Sequence, residues 1–251
     1  MKNIIKISSR FVFAAAMVPF CVSGLELTGE EQVLAFWKMD QTVKQGSQIL
    51  VRDELDGVKR REMPLELSGK VISSDLPPVT LGVPKLTSGK AGVSGEALSF
   101  DKSYAFARNI WQGYESIILD FWMKVPVLPK TSGAPVIYLL RTGSWDLTIL
   151  AKNELQWAAR NSAGGSVGYV RKDLSGLENK WIHVIAAFEA DKTMTLKVDD
   201  EEYTSVAKDM WWIRKNDGIQ FGFLTGRTVD RSFVGFIDEM KVSLPVKAAK
   251  P

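Results

Sequence analysis

The sequence predicts an all-β protein: a two-sheet antiparallel β-sandwich of the jelly-roll kind. Three observations carry this. From Gln32 onward apolar residues recur mostly at every second position, in runs of five to nine residues, which is the repeat of a strand with one buried face. Gly, Asp, Asn and Ser separate the runs, and these are the residues that turns select. No long stretch sustains a 3.6-residue apolar repeat between caps, so helices are expected to be few and short.

The chain, 251 residues long, opens with Lys2, Lys6 and Arg10, continues through the apolar stretch 11–20 and closes on Cys21, Val22, Ser23 and Gly24. That is the layout of a secretory signal peptide. A spanning helix would need about 20 apolar residues, roughly twice this core, and the polar Glu26, Thr28, Glu30 and Glu31 follow at once. Cleavage is expected after Ser23, which leaves a single domain over 24–251 and no membrane span. The destination is then the periplasm, the cell surface or the extracellular space.

Loss of the signal removes three basic residues and no acidic ones, so 29 basic face 29 acidic residues in the mature chain. A formally neutral domain has no electrostatic footprint for nucleic acid or an anionic membrane, and a polyanion receptor is disfavoured as well. Cys21 is the single cysteine, and it leaves with the signal. Disulfides, thiolate metal sites and cysteine nucleophiles are therefore excluded, and stability must come from an apolar core that a domain of this length can bury.

Along the chain, Ile117, Leu119, Phe121 and Met123 form an apolar face that alternates with Ile118, Asp120, Trp122 and Lys124. Similar runs are 33–39, 97–100, 136–141, 145–151, 154–160, 167–171, 181–189, 193–198, 219–224 and 233–243. Ala190-Asp191-Lys192 and Asp199-Asp200 sit between strong runs, so 181–206 reads as a three-strand meander. Asn216-Asp217-Gly218 restarts the chain before Ile219. Two regions resist the pattern: the polar 41–70, and 74–92 with Pro77, Pro78 and Pro84. Both are expected to be long surface connections, the second an edge or loop because proline cannot donate to a central ladder.

Four blocks, in order, carry a family resemblance. Phe233-Val234-Gly235-Phe236-Ile237-Asp238-Glu239-Met240-Lys241-Val242 is similar to the closing strand of laminin G-like (LamG) domains in the concanavalin A-like lectin/glucanase superfamily. Leu34-Ala35-Phe36-Trp37-Lys38-Met39-Asp40 resembles their opening strand, Gly95-Glu96-Ala97-Leu98-Ser99-Phe100 their "G-x-A-L-x-F" segment, and Lys180-Trp181-Ile182-His183-Val184 their "W-x-H-V-A" strand. The chain departs at Asp199-Asp200, where the family usually shows Asp-Gly. The resemblance implies a jelly roll whose first and last mature segments pair. It also makes calcium a candidate cofactor, held by Asp238 or Asp40, since hard oxygen ligands suit that ion.

Enzymatic constellations are hard to find. Retaining glycosidases need two carboxylates about 5 to 5.5 Å apart, and the superfamily's "E-x-D-x-x-E" pattern is absent. Glu189 and Asp191 have the first spacing, but Asp191 falls in a turn and position 194 is Met. Asp238 and Glu239 are neighbours with opposed side chains. A lyase would want a His or Tyr base with Arg, and the single histidine, His183, reads as a structural residue of a central strand.

Binding is what remains. Eight tryptophans offer ring faces that stack on sugar C–H surfaces while charged neighbours bond the hydroxyls. Trp37 and Trp181 belong to the matched strand blocks and Trp122 to the strand run 117–124, and all three are expected in the core, whereas Trp145 and Trp157 suit either role. Consecutive strand residues cannot both face inward, so one of Trp211 and Trp212 is expected outside. The loop 225–231 adds Arg227 and Asp230. The candidate ligand-binding residues are therefore Trp145, Trp211, Trp212, Arg227 and Asp230, and no residue is assigned as catalytic. The expected function is a secreted, non-catalytic module for a glycan or a cell-surface or matrix polymer. The alternatives are a glycoside hydrolase or polysaccharide lyase with an atypical site, and a purely structural surface protein.

Overall fold

The computed structural model describes residues 31–40, 42–54, 64–68, 70–71, 79–80, 83–89, 95–111, 115–129, 137–208, 217–222 and 231–245. In chain order the strands are β1 (Glu31–Trp37), β2 (Thr42–Gln45), β3 (Gln48–Val51), β4 (Leu65–Ser68), β5 (Lys70–Val71), β6 (Val79–Thr80), β7 (Lys85–Ser88), β8 (Glu96–Asp101), β9 (Tyr104–Trp111) and β10 (Ile117–Lys124). They continue as β11 (Ile137–Arg141), β12 (Trp145–Ile149), β13 (Glu154–Arg160), β14 (Ser166–Asp173), β15 (Trp181–Phe188), β16 (Thr193–Val198), β17 (Glu201–Val206), β18 (Asp217–Phe221) and β19 (Val234–Pro245). Among the described residues the helical content is one 3-10 turn, Ala151–Asn153.

Two antiparallel sheets stack to form the sandwich. An eight-stranded sheet runs β17-β16-β15-β10-β19-β8-β7, with β1 joined to β19, and a nine-stranded sheet runs β14-β13-β12-β11-β18-β9-β4-β3-β2. The first and last segments pair as expected. Phe36 lies opposite Lys241, and further along β19 Gly235 lies opposite Phe100. The meander is present as β15-β16-β17, its second turn closed by Asp199-Asp200 between Val198 and Glu201. Asp199 adopts φ 51°, a left-handed conformation that Asp tolerates. Its N–H donates to the His183 carbonyl at 2.8 Å while its carboxylate accepts the His183 N–H at 2.9 Å.

Strand alternation sends one set of side chains into the core. Leu119, Phe121 and Met123 of β10, Val184 and Phe188 of β15, and Trp145, Leu147, Leu155 and Trp157 from the opposite sheet are all fully buried. The Trp157 indole N–H crosses the core to the Ala187 carbonyl at 3.0 Å, satisfying the ring's one polar group and tying the sheets together.

Two sequence expectations change and a third holds. The polar region 41–70 carries β2, β3 and β4 as sheet strands, not only a connection. β2 lies at the sheet edge with exposed Thr42, Lys44 and Gln45, so no apolar alternation marks it. Within 74–92, β7 forms the edge of the eight-stranded sheet, the edge position expected of that region. Trp122 and Trp181, expected in the core, are half-buried on the outer face, because Phe121, Met123 and Ile182 hold the inward positions on either side of them.

Candidate functional site

Cross-strand register places one row of side chains on the outer face of the nine-stranded sheet. Tyr169 of β14 lies opposite Ala158 of β13, Ala158 opposite Asp146 of β12, Asp146 opposite Arg141 of β11 and Arg141 opposite Gln220 of β18. A second row brings together Thr148, Gln156 and Arg171. Each of these strands turns its apolar alternates, such as Leu147, Leu155, Trp157 and Phe221, into the core, which forces the polar alternates outward.

An outward polar residue is normally solvated. Here Asp146 is 0%, Thr148 1% and Gln156 7% exposed. Arg160 Nε donates to Asp146 Oδ2 at 2.9 Å, and its Nη2 donates to the same oxygen. Arg171 Nε donates to Gln156 Oε1 at 2.8 Å and Nη1 to Glu154 Oε2 at 3.4 Å. Burial pushes the Asp146 carboxyl above its ordinary value, against the opposing pull of the Arg160 and Arg141 guanidiniums. Three polar atoms in these rows are buried without a hydrogen-bond partner among the described residues: Asp146 Oδ1, Thr148 Oγ1 and Gln220 Oε1. Leaving such an atom unpaired costs about 1–3 kcal/mol, so three on one face suit a small hydroxyl donor, a water or a ligand hydroxyl, that completes them. Beside them stands Tyr169, 50% exposed, with the Arg171 guanidinium 4.4 Å from its ring centroid.

The outer face of the eight-stranded sheet has a different arrangement. His183 Nε2 lies 2.6 Å from Asp120 Oδ1, and Lys241 Nζ reaches Asp120 Oδ2 at 3.0 Å and Glu31 Oε2 at 3.1 Å. The Trp122 and His183 rings stack with centroids 4.7 Å apart. Burial would raise the Asp120 carboxyl, but the His183 hydrogen bond and the Lys241 ammonium outweigh it and hold the group below its ordinary value. Lys241 is shifted up: Asp120 and Glu31 overcome the effect of its own burial. His183 is therefore a hydrogen-bond partner of the carboxylate that Lys241 pairs with.

Of the ligand-binding residues proposed from sequence, Trp145 is 0% exposed and packs against Phe188, centroids 5.5 Å apart. Its ring is core and is not offered to a ligand, a correction that follows from the outward position of Asp146. Trp211, Trp212, Arg227 and Asp230 lie outside the described residues. The two carboxylates proposed for calcium serve the backbone: Asp40 Oδ1 accepts the N–H groups of Gly95 and Glu96 at 3.1 and 3.2 Å, and Asp238 Oδ1 accepts that of Glu239 at 2.9 Å. Calcium takes six to eight oxygens, and among the described residues no group of three His, Cys, Asp or Glu is placed to hold a metal. These residues do not by themselves build a site for that ion.

The sequence reading passed over Asp146, Thr148, Gln156 and Gln220. The available signal was a polar residue at every second position inside strongly apolar strands, as in Trp145-Asp146-Leu147-Thr148-Ile149.

A model of the Concanavalin A-like lectin/glucanases superfamily, of laminin G type, matches residues 104–245. No curated protein matches the chain. Among solved structures, the binding domain of Paraclostridial Mosquitocidal Protein 1 is similar at TM-score 0.59 and 16% identity, over 86% of this chain and 50% of that one. The receptor binding domain of botulinum neurotoxin C/D mosaic serotype is similar at TM-score 0.58 and 12% identity, over 84% and 47%. The binding domain of Botulinum Neurotoxin DC in complex with SialylT matches at TM-score 0.55 and 12% identity, over 84% and 47%. The chain thus spans about half the length of these domains, and identities this low establish a shared fold alone.

Proposed function

The chain belongs to the Concanavalin A-like lectin/glucanases superfamily, and we propose that within it this protein is an exported, non-catalytic module. It binds a glycan of a cell surface or extracellular polymer on the outer face of its nine-stranded sheet. The observation that carries the reading is the set of buried, unpartnered atoms Asp146 Oδ1, Thr148 Oγ1 and Gln220 Oε1 beside the guanidiniums of Arg141, Arg160 and Arg171. A sugar hydroxyl both donates and accepts. A hydroxyl that reaches past the side chains covering these atoms can give its proton to the carboxylate or amide oxygen and take one from a guanidinium, which neither a simple anion nor an apolar ligand can do. Tyr169 supplies a half-exposed ring to cover a pyranose face. The similar solved structures are a binding domain and a receptor binding domain, which supports a binding role.

Catalysis is poorly served by the same residues. Asp146 has one oxygen taken up by Arg160; Glu154 and Glu66 face Arg171 and Arg108, and Asp173, opposite Glu154, accepts the Ser175 N–H. A retaining glycosidase needs a nucleophile and an acid about 5 Å apart; among the described residues the cross-strand carboxylate pair of this face, Glu154 and Asp173, is engaged by Arg171 and by the Ser175 backbone. Export rests on the signal layout of residues 1–23.

A glycan array of the mature protein, run with and without calcium and repeated with Asp146→Asn, tests the proposal. Selective glycan binding that the substitution weakens at least tenfold is the expected result. A blank array in both conditions, or binding indifferent to Asp146→Asn, would overturn it.

A further inference from the structure

We infer that the opposite face of the sandwich carries a second saccharide site, specific for an acidic sugar and centred on Lys124 between Trp181 and Phe236. Lys124 lies directly opposite Trp181 on β15 and opposite Phe236 on β19. The inward positions beside them belong to Met123, Ile182 and Ile237, so all three side chains project outward, each half-buried. The rings of Trp181 and Phe236 have centroids 6.2 Å apart at an interplanar angle of 56°, and Lys124 Nζ stands 5.5 Å from the Phe236 centroid. Continued sideways, the row adds Ser99, opposite Phe236, and Lys85, opposite Ser99. It therefore holds two cations, two aromatic rings and a hydroxyl, and no carboxylate.

Lys124 and Lys241 on this face differ in what they touch. Lys241 is held between Asp120 and Glu31 at 3.0 and 3.1 Å, whereas Lys124 makes no ion pair and no side-chain hydrogen bond among the described residues, its contact being the face of Phe236. An ammonium has three donors, and a ring face satisfies none of them as a hydrogen bond. A ligand fitted to the row brings a carboxylate for Lys124 and a C–H surface for the rings. A hexuronate residue has both. A neutral sugar leaves the lysine without an acceptor, and a small anion leaves the rings uncovered. The inference shares the saccharide reading given above but none of its residues, and together the two faces make the module bivalent.

Binding of trimers of galacturonate, glucuronate and mannuronate, each against its neutral counterpart, is measured by titration calorimetry. The proteins compared are the mature protein, Lys124→Glu, Lys124→Arg, Trp181→Ala and Asp146→Asn, with thermal melts to establish that each is folded. At least one uronate trimer is expected to bind in preference to its neutral counterpart. Its affinity should fall at least tenfold in Lys124→Glu and in any folded Trp181→Ala, hold within about threefold in Lys124→Arg, and stay unchanged in Asp146→Asn. If no uronate trimer binds at millimolar concentration, or if folded Lys124→Glu binds as tightly as the parent, the inference is wrong. Uronate binding that depends on Lys124 while Asp146→Asn alters no array ligand would sink the first site and keep the second, and the reverse pattern would do the opposite.

Discussion

The outer faces of the two sheets both carry an aspartate beside a cation, and the two aspartates live under opposite conditions. Asp120 on the eight-stranded sheet keeps a side chain 23% exposed, and each of its oxygens has a named partner, His183 on one and Lys241 on the other. Asp146 on the nine-stranded sheet is 0% exposed, with both contacts from Arg160 on one oxygen and none on the other. Depth and satisfaction are thus inverted. The accessible network is complete and the inaccessible one is not, whereas packing alone favours satisfying whatever is buried. A fold that keeps a deep, half-satisfied carboxylate on an outer face is giving up stability at that place, and ligand binding is the use proposed for it.

The largest expected effect comes from cutting each network at its cation. Arg160→Ala leaves a buried, uncompensated Asp146 and should cost about 3 kcal/mol at pH 7 by denaturant unfolding. Adding Asp146→Asn should recover most of that loss. Lys241→Ala removes a half-exposed partner and should cost about 1 kcal/mol or less. Equal costs on the two faces would remove the contrast.

Next in size is the effect on ligand affinity. Asp146→Asn keeps the shape of the site but turns its single acceptor oxygen to Arg160 and presents an N–H donor where the hydroxyl met a carboxylate oxygen, and the affinity for an array-selected glycan should drop at least tenfold, about 1.4 kcal/mol. Asp120→Asn should leave that affinity unchanged. The reverse ranking would move the site to the other face.

The smallest effect is in pH dependence, where the two carboxylates have opposite signs. Asp120 is held below its ordinary value, so its stabilising contribution is complete above the unfolded pKa and is lost as pH falls through the lowered folded one. Asp146 is pushed up, so its folded form retains a proton the unfolded chain has released. Its contribution is best in acid and worsens as pH rises through the raised value. Lys241, shifted upward by Asp120 and Glu31, contributes stability that persists through neutral pH and disappears only above its raised pKa. Melting temperatures from pH 3 to 7 should show the gap between the parent and Asp120→Asn closing toward acid. The parent should lose ground to Asp146→Asn in the other direction.

How much of this was legible in the sequence follows from strand parity. The run 117–124 announces β10 because one face is wholly apolar, and the block around Gly235 announces β19 and its place beside β1. β2 stayed hidden because Thr-Val-Lys-Gln at an open edge needs no buried face. Trp122 and Trp181 were assigned inward on the strength of size, although Phe121, Met123 and Ile182 already occupy the inward parity. The same parity, applied to Trp145, places it in the core and Asp146 outside. Alternation tells which side a residue faces but not how deeply it is covered, and the candidate site depends on that depth.

The central claim is that saccharide meets the protein on the outer face of β11, β12, β13 and β18. Titration of an array-selected glycan into isotope-labelled protein, followed by amide chemical shifts, addresses it directly. Shifts concentrated at Arg141, Asp146, Thr148, Gln156 and Gln220, and absent from these positions in Asp146→Asn, are the predicted result. Shifts that leave these five amides untouched while the glycan binds would contradict it.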